Sequence, residues 1–256
     1  MNVACVQLDV VWEEPSENIA HAGELIKEAV KSGADLVCLP ELFSTGVTRT
    51  PKKFAESLDG PTCSFLFKKA REHGIYLVGS YIQKNPAGLP RNSVVAYDPK
   101  GSAVCRYYKN RLFTYDREHR YYSPGKGVVA FKACGFTVSP FICYDLRFPE
   151  LFRAAVGKGA DMFIVAANWP NPRKEHWVTL LKARAIENQA YVVGVNRVGN
   201  SPKHSFFGGS MIVSPKGEVV AEAGDGEEVL IGEAKSDEIA SWRREFPTLK
   251  DRLIFH

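Results

Sequence analysis

An internal repeat narrows the possible folds of this chain more than any other feature. KSGADLVCLP at 31–40 returns as GKGADMFIVA at 157–166, and EHGIYLVGS at 72–80 returns as ENQAYVVGV at 187–195. NSVVAYDPKGSAV at 92–104 returns as SMIVSPKGEVV at 210–220. One echo of this kind carries little weight, because helix–glycine–strand junctions look alike in most α/β proteins. Three in the same order indicate a duplicated unit. Each unit alternates strand-like apolar runs with amphipathic helices, which sets the class as α/β. The two Pro-Lys-Gly segments read as hairpin turns, so each sheet contains antiparallel pairs. Two such halves, each with helices on one face, must bury their open apolar faces against each other. The expected architecture is a four-layer α-β-β-α sandwich with an internal pseudo-twofold repeat. The hairpins disfavour the alternative, one doubly wound parallel sheet. No low-complexity segment or polar linker divides the chain, so residues 1–256 are expected to form a single domain.

Local signals fit this frame. The run 2–9 is apolar enough for a buried strand. Pro15-Ser16 marks a helix start with Ser16 as candidate N-cap, and Ile19, Ala22, Ile26, Ala29 and Val30 recur at helical spacing until Gly33. A second strand, 35–39, runs directly into Pro40-Glu41. A formal net charge of +4, with its densest basic stretches short and interrupted, disfavours a nucleic-acid or anionic-membrane partner. No apolar run approaches the ~20 residues that span a bilayer. The N-terminal MNVACVQLDV lacks a basic n-region and a cleavage site, and a cytoplasmic location is expected. The six cysteines are scattered with no C-x-x-C pair, and the six histidines lie far apart, so neither disulfides nor a metal site is expected. Cys5, Cys38, Cys63, Cys105 and Cys134 read as small core hydrophobes.

The sixth cysteine, Cys143, lies in ICYDLRFPE at 142–150, where a strand ends and Pro149 suits the first turn of a helix reaching about 157. A strand-to-helix elbow exposes sulfur beside unpaired backbone N–H groups, which can stabilise a thiolate or receive an oxyanion. A buried inert thiol is the competing reading. Glu41 in PELF (40–43) follows an apolar strand, a place suited to a general base and equally open to a capping carboxylate. Lys109 in RYYKNRLF (106–113) follows an aromatic strand, where a cation needs a carboxylate or a substrate unless it is exposed.

Together these three motifs resemble the nitrilase superfamily of carbon-nitrogen hydrolases, whose pattern is a P-E glutamate, a K-x-x-L-F lysine and a C-Y-D-x-R-F-P cysteine. AANWP (166–170), LLKARAIENQAYVVGVNRVG (180–199) and FGGSMIVSPKGEV (207–219) extend the likeness along the chain. The resemblance implies an α-β-β-α sandwich and a Glu41-Lys109-Cys143 triad. Glu118 is implied as a second glutamate that fixes Lys109 and orients the amide nitrogen. The triad would cleave a small linear amide through a cysteine thioester, with the backbone N–H of Tyr144 as oxyanion donor and no cofactor. Asp145 and Arg147 are expected to pair as scaffold beside the elbow.

NWPNPRKEHW (168–177) and WRREFPTLKDRL (242–253) are similar to the bacterial omega-amidase branch, which acts on 2-oxoglutaramate and 2-oxosuccinamate. That likeness makes Arg173 the candidate carboxylate anchor, with Trp169 and Phe43 as apolar walls and Arg111 next in line. Arg173 paired with Glu175 is the plainer reading. The alternatives are an N-carbamoyl-amino-acid or other aliphatic amidohydrolase and, from a different class, a non-catalytic interaction module. The family further implies a homodimer or larger assembly.

Overall fold

The computed structural model describes residues 1–252; the last four residues of the expected domain, and with them the final residue of the 242–253 segment, lie outside it. The strands are β1 (Asn2–Gln7), β2 (Leu36–Cys38), β3 (Tyr76–Gln83), β4 (Arg91–Tyr97), β5 (Ala103–Tyr108), β6 (Phe131–Ala133) and β7 (Phe136–Ile142). They continue as β8 (Met162–Ala167), β9 (Tyr191–Asn196), β10 (Val198–Asn200), β11 (Ser205–Phe207), β12 (Met211–Val213), β13 (Val219–Glu222) and β14 (Glu228–Glu233). The helices are α1 (Pro15–Lys31), α2 (Pro51–Phe54), α3 (Pro61–His73), α4 (Pro149–Gly157), α5 (Lys174–Asn188) and α6 (Ser236–Glu245).

Two six-stranded sheets carry the same topology. The first runs β14-β1-β2-β3-β4-β5 and the second β6-β7-β8-β9-β12-β13. In each, three consecutive parallel strands (β1, β2, β3 or β7, β8, β9) are followed by two antiparallel ones and preceded at the far edge by one antiparallel strand. The three sequence echoes fall on β2 and β8, β3 and β9, and the hairpins β4–β5 and β12–β13. Both faces of the first sheet are buried, and successive residues of its strands join different cores. Ala4, Val6, Val37, Leu39 and Leu77 pack with Leu25 and Ile26 of α1 and Leu66 of α3. Val3, Cys5, Leu36, Cys38, Val78 and Val94 face the other way and join one core with β7, β8 and β9. Burying each such Val or Leu contributes about 1.5–3 kcal/mol. The layers are those expected from the repeat.

Helix-to-sheet spacing is set by a matched pair of glycines. A Cβ on Gly79 of β3 would sit 2.7 Å from Leu66 Cδ1 of α3, and one on Gly194 of β9 would sit 2.6 Å from Leu181 Cδ1 and 2.8 Å from Trp177 of α5. The helices after the two echoed junctions therefore rest directly on backbone. Helix α1 departs in detail from expectation: it begins at Pro15, with Glu14 and not Ser16 at the N-cap, because proline occupies the first helical position. Strand β1 ends at Gln7, whose side chain turns to Gly224, Gly226 and Ser210. Cys134 is exposed at a left-handed turn (φ 46°) and is no core residue, whereas Cys5, Cys38, Cys63 and Cys105 are buried.

Gly79→Ala and Gly194→Ala are each expected to destabilise the fold by about 1–3 kcal/mol through overpacking. The loss should appear as a lower denaturant midpoint at unchanged m-value. Parental midpoints for both variants would show that the helices do not rest on these strands.

Candidate active site

The chemistry-bearing residues gather at the C-terminal ends of strands, where α/β proteins place their sites. Glu41 follows β2, Lys109 follows β5, Cys143 follows β7 and Asn168 follows β8, the counterpart of β2 in the second half. Glu41, Lys109 and Glu118 are 1%, 3% and 6% exposed, a density of buried charge that only mutual pairing can hold. Lys109 Nζ donates to Glu41 Oε1 at 2.9 Å and to Glu118 Oε1 at 3.0 Å. An ammonium has three donors, so one remains for a further acceptor. Glu41 Oε1 also receives Asn92 Nδ2 at 2.7 Å, and its Oε2 receives the backbone N–H of Asn168 at 2.9 Å. Glu118 is fixed in turn by the backbone N–H of Phe113.

The charge states follow from this wiring. Burial pushes the Glu41 carboxyl up, but Lys109 and the Asn168 and Asn92 donors outweigh it and hold the carboxyl below its ordinary value. Burial likewise pulls Lys109 down, and the carboxylates of Glu118 and Glu41 reverse this, holding it well above the usual lysine range. Burial and then the Glu41 charge raise the Cys143 thiol well above its ordinary value, against the pull of Lys109. At neutral pH the resting site thus holds a carboxylate, an ammonium and a thiol.

Cys143 adopts φ 44°, a left-handed conformation that costs a residue with a Cβ about 1–3 kcal/mol. It opens a short 3₁₀ turn, Cys143–Arg147. As the second residue of that turn, Tyr144 has a backbone N–H with no partner inside it. Cys143 Sγ lies 3.9 Å from the carbonyl oxygen of Asn168, the residue whose N–H holds Glu41. Asn168 was not among the residues singled out in the sequence. Its signal lay in the repeat, since it follows β8 as Glu41 follows β2.

Cys143, Glu41 and Lys109 open onto a cavity of about 400 Å³, whose wall includes Trp169, Arg147 and Arg173. Three expectations need correction here. Phe43 is fully buried and packs on Phe65 and Gly79 behind the first sheet, because the left-handed Leu42 (φ 45°) turns the chain inward after Glu41. Arg147 does not pair with Asp145. It donates to His176 Nδ1 at 3.2 Å, lies over the Trp169 ring and lines the cavity. Arg111 turns away to Glu150 and Phe148. Arg173 stacks over Phe113, 5.4 Å from ring centroid to guanidinium carbon, and has no carboxylate partner among the described residues. Trp169 is held by its indole N–H on the Arg173 carbonyl. Among the described residues no group of acidic, histidine or cysteine side chains is arranged to hold a metal ion.

Removing the cation tests the network. Glu41, with its lowered carboxyl, contributes stability present above about 4.5 and lost as pH falls through its folded value. Lys109, raised, contributes stability present below about 10.5 and lost as pH rises through its folded value. Lys109→Met leaves two facing buried carboxylates and is expected to cost about 3–5 kcal/mol at pH 7. Because a shared proton then relieves the repulsion, the variant should gain stability between pH 7 and pH 5 relative to the parent. Denaturation at the two pH values reads this, and parallel behaviour of variant and parent would contradict the pairing.

The chain is similar to proteins of known family along nearly its whole length. A 2-oxoglutaramate amidase of Bacillus subtilis is 37% identical over 97% of this chain and 96% of its own. The structure of XC1258 from Xanthomonas campestris, a CN-hydrolase superfamily protein with an arsenic adduct in its active site, matches with a TM-score of 0.94 at 31% identity, covering 100% of this chain and 98% of that one. A mutant of the amidase from Nesterenkonia sp. AN1, in which acrylamide has added to the active-site cysteine, matches with a TM-score of 0.85 at 27% identity, covering 98% of this chain and 99% of that one. The carbon-nitrogen hydrolase family model matches residues 2–244. By sequence and by fold, the chain belongs to the carbon-nitrogen hydrolase family.

Proposed function

We propose that the protein is an omega-amidase, hydrolysing the terminal amide of 2-oxoglutaramate or 2-oxosuccinamate to carboxylate and ammonia. The observation that carries the hydrolytic reading is the buried Glu41-Lys109-Glu118 cluster beside a left-handed cysteine at a cavity wall. The similarity to the Bacillus subtilis 2-oxoglutaramate amidase supports the substrate.

Each step has a residue to perform it. Cys143 Sγ attacks the amide carbon while its proton passes to Glu41. The raised thiol and lowered carboxyl make this transfer unfavourable in the empty site, so thiolate character develops as the carbon–sulfur bond forms. The oxyanion is received by the third N–H of Lys109 and the backbone N–H of Tyr144; one such donor is typically worth about 10²–10³ in rate. Glu41 returns its proton to the nitrogen, the carbon–nitrogen bond breaks and ammonia leaves a thioester. Glu41 then takes a proton from water, whose oxygen attacks the thioester carbon and releases the carboxylic acid and the thiol. Glu118 holds Lys109 in place and orients the amide nitrogen.

Arg173 binds the substrate carboxylate, with Trp169 as an apolar wall; an unpaired guanidinium in a cavity suits planar, bidentate recognition. Arg147, beside it, adds positive charge to the same wall and has its own guanidinium pKa lowered by burial and by Arg173. The reaction needs no cofactor. Residues 1–256 act as one domain in the cytoplasm, as a homodimer or larger homo-oligomer. Exposed apolar Ile186 and Phe246 are consistent with assembly.

Ammonia release across a panel of small amides tests this function. Cys143→Ala should abolish release from 2-oxoglutaramate while the fold is kept. Arg173→Ala should lower kcat/KM for 2-oxoglutaramate by about 2–4 kcal/mol, Arg173→Lys by less, and neither should change hydrolysis of a neutral amide of similar size. Equal efficiency of Arg173→Ala and parent on 2-oxoglutaramate would move the anchor elsewhere. A preference for N-carbamoyl amino acids would replace the substrate assignment.

A further inference from the structure

Asp145 is fully buried, has no ion-pair partner among the described residues and takes no part in the steps above. Its carboxylate is nonetheless held by three donors from two separate segments. Oδ2 receives the Tyr107 hydroxyl at 2.8 Å and the backbone N–H of Ile142 at 3.0 Å, and Oδ1 receives the backbone N–H of Arg111 at 2.8 Å. Tyr107 and Arg111 lie two residues either side of Lys109. Ile142 and Asp145 itself flank Cys143. One carboxylate thus ties the segment that presents the ammonium to the elbow that presents the sulfur. The tie is anchored behind: Asn110 Nδ2 donates to the Tyr107 hydroxyl at 2.7 Å, and Asn110 exchanges hydrogen bonds with the backbone of Gly127 at 2.7 and 2.9 Å.

We infer that Asp145 is a positioning residue, which sets the placement of Lys109 relative to Cys143 by clamping the β5 exit to the left-handed elbow. A charge buried at this depth is costly, and three donors converging on it are what keep it ionisable. Burial pushes its carboxyl up to about 6, with the Tyr107, Arg111 and Ile142 donors opposing. A neutral carboxamide cannot substitute, because its NH₂ would point at one of the N–H or O–H donors. The elbow would then relax toward ordinary backbone angles and the ammonium would no longer be held over the developing oxyanion. Misplacement on the order of 1 Å costs about 10²-fold in rate.

This inference rests on Lys109 and Cys143 being the reacting pair, and its test is readable without turnover. The pH dependence of Cys143 alkylation by iodoacetamide reports the thiol as it sits among Glu41, Lys109, Glu118 and Arg147, the charged groups that face it. In folded Asp145→Asn, kcat is expected to fall about 30–100-fold with KM within about 3-fold, and the alkylation midpoint to rise by about one pH unit. A scaffold residue without a positioning role would lower thermal stability and leave that midpoint in place. Tyr107→Phe deletes one hydroxyl and keeps the Asp145 charge, so an upward midpoint shift and a several-fold loss of kcat in this variant report position and not electrostatics. It also decides the matter should Asp145→Asn fail to fold. A parental alkylation midpoint in Tyr107→Phe, or in folded Asp145→Asn, overturns the inference. A shifted midpoint without amide hydrolysis in the parent would keep it and reject the proposed function.

Discussion

The Lys109 ammonium, held between the carboxylates of Glu41 and Glu118, is the interaction on which the rest of the site depends. Three charges this deeply buried are tolerable only when paired and hydrogen-bonded, and the fold is arranged to supply the partners. Asn92 comes from β4, Asn168 from the far sheet, and Phe113 from the loop beyond Lys109. The network therefore couples the two halves of the sandwich at the point where the cavity opens. It also fixes the chemistry: the carboxylate is kept ionised and able to accept a proton, and the ammonium keeps one donor free beside the sulfur.

Duplication explains how such a site arises at the join between two similar sheets. Each half offers residues at the C-terminal ends of its strands, and Glu41 after β2 meets Asn168 after β8. The halves have diverged in what they place there, with carboxylate and ammonium from the first and sulfur from the second. The tight rest of α3 on Gly79 and of α5 on Gly194 holds the two strand sets rigid behind these residues.

Much of this was legible in the sequence because it is written as period and order. The echoes gave the two-sheet topology, and the PELF, KNRLF and CYDLRFPE motifs gave Glu41, Lys109 and Cys143. Glu118 came only through the family likeness. What could not be read depends on side-chain direction at turns. Phe43 follows a motif residue by two positions, yet the left-handed Leu42 sends it into the core. Arg147 and Asp145 sit two apart in one motif and invite pairing, but the 3₁₀ turn directs one to the cavity and the other inward to Tyr107. Asn92 and Asn168 act through short polar contacts between distant strands, which leave no local pattern.

On this reading amide cleavage runs through a thioester on Cys143 within the charge network. Rapid mixing with 2-oxoglutaramate, acid quench and peptide mapping by mass spectrometry test it most directly. An acyl group should appear on the Cys143 peptide alone, formed as fast as ammonia is released in the first turnover. Ammonia released in that turnover with Cys143 unmodified, or with the acyl group on any other residue, would contradict it.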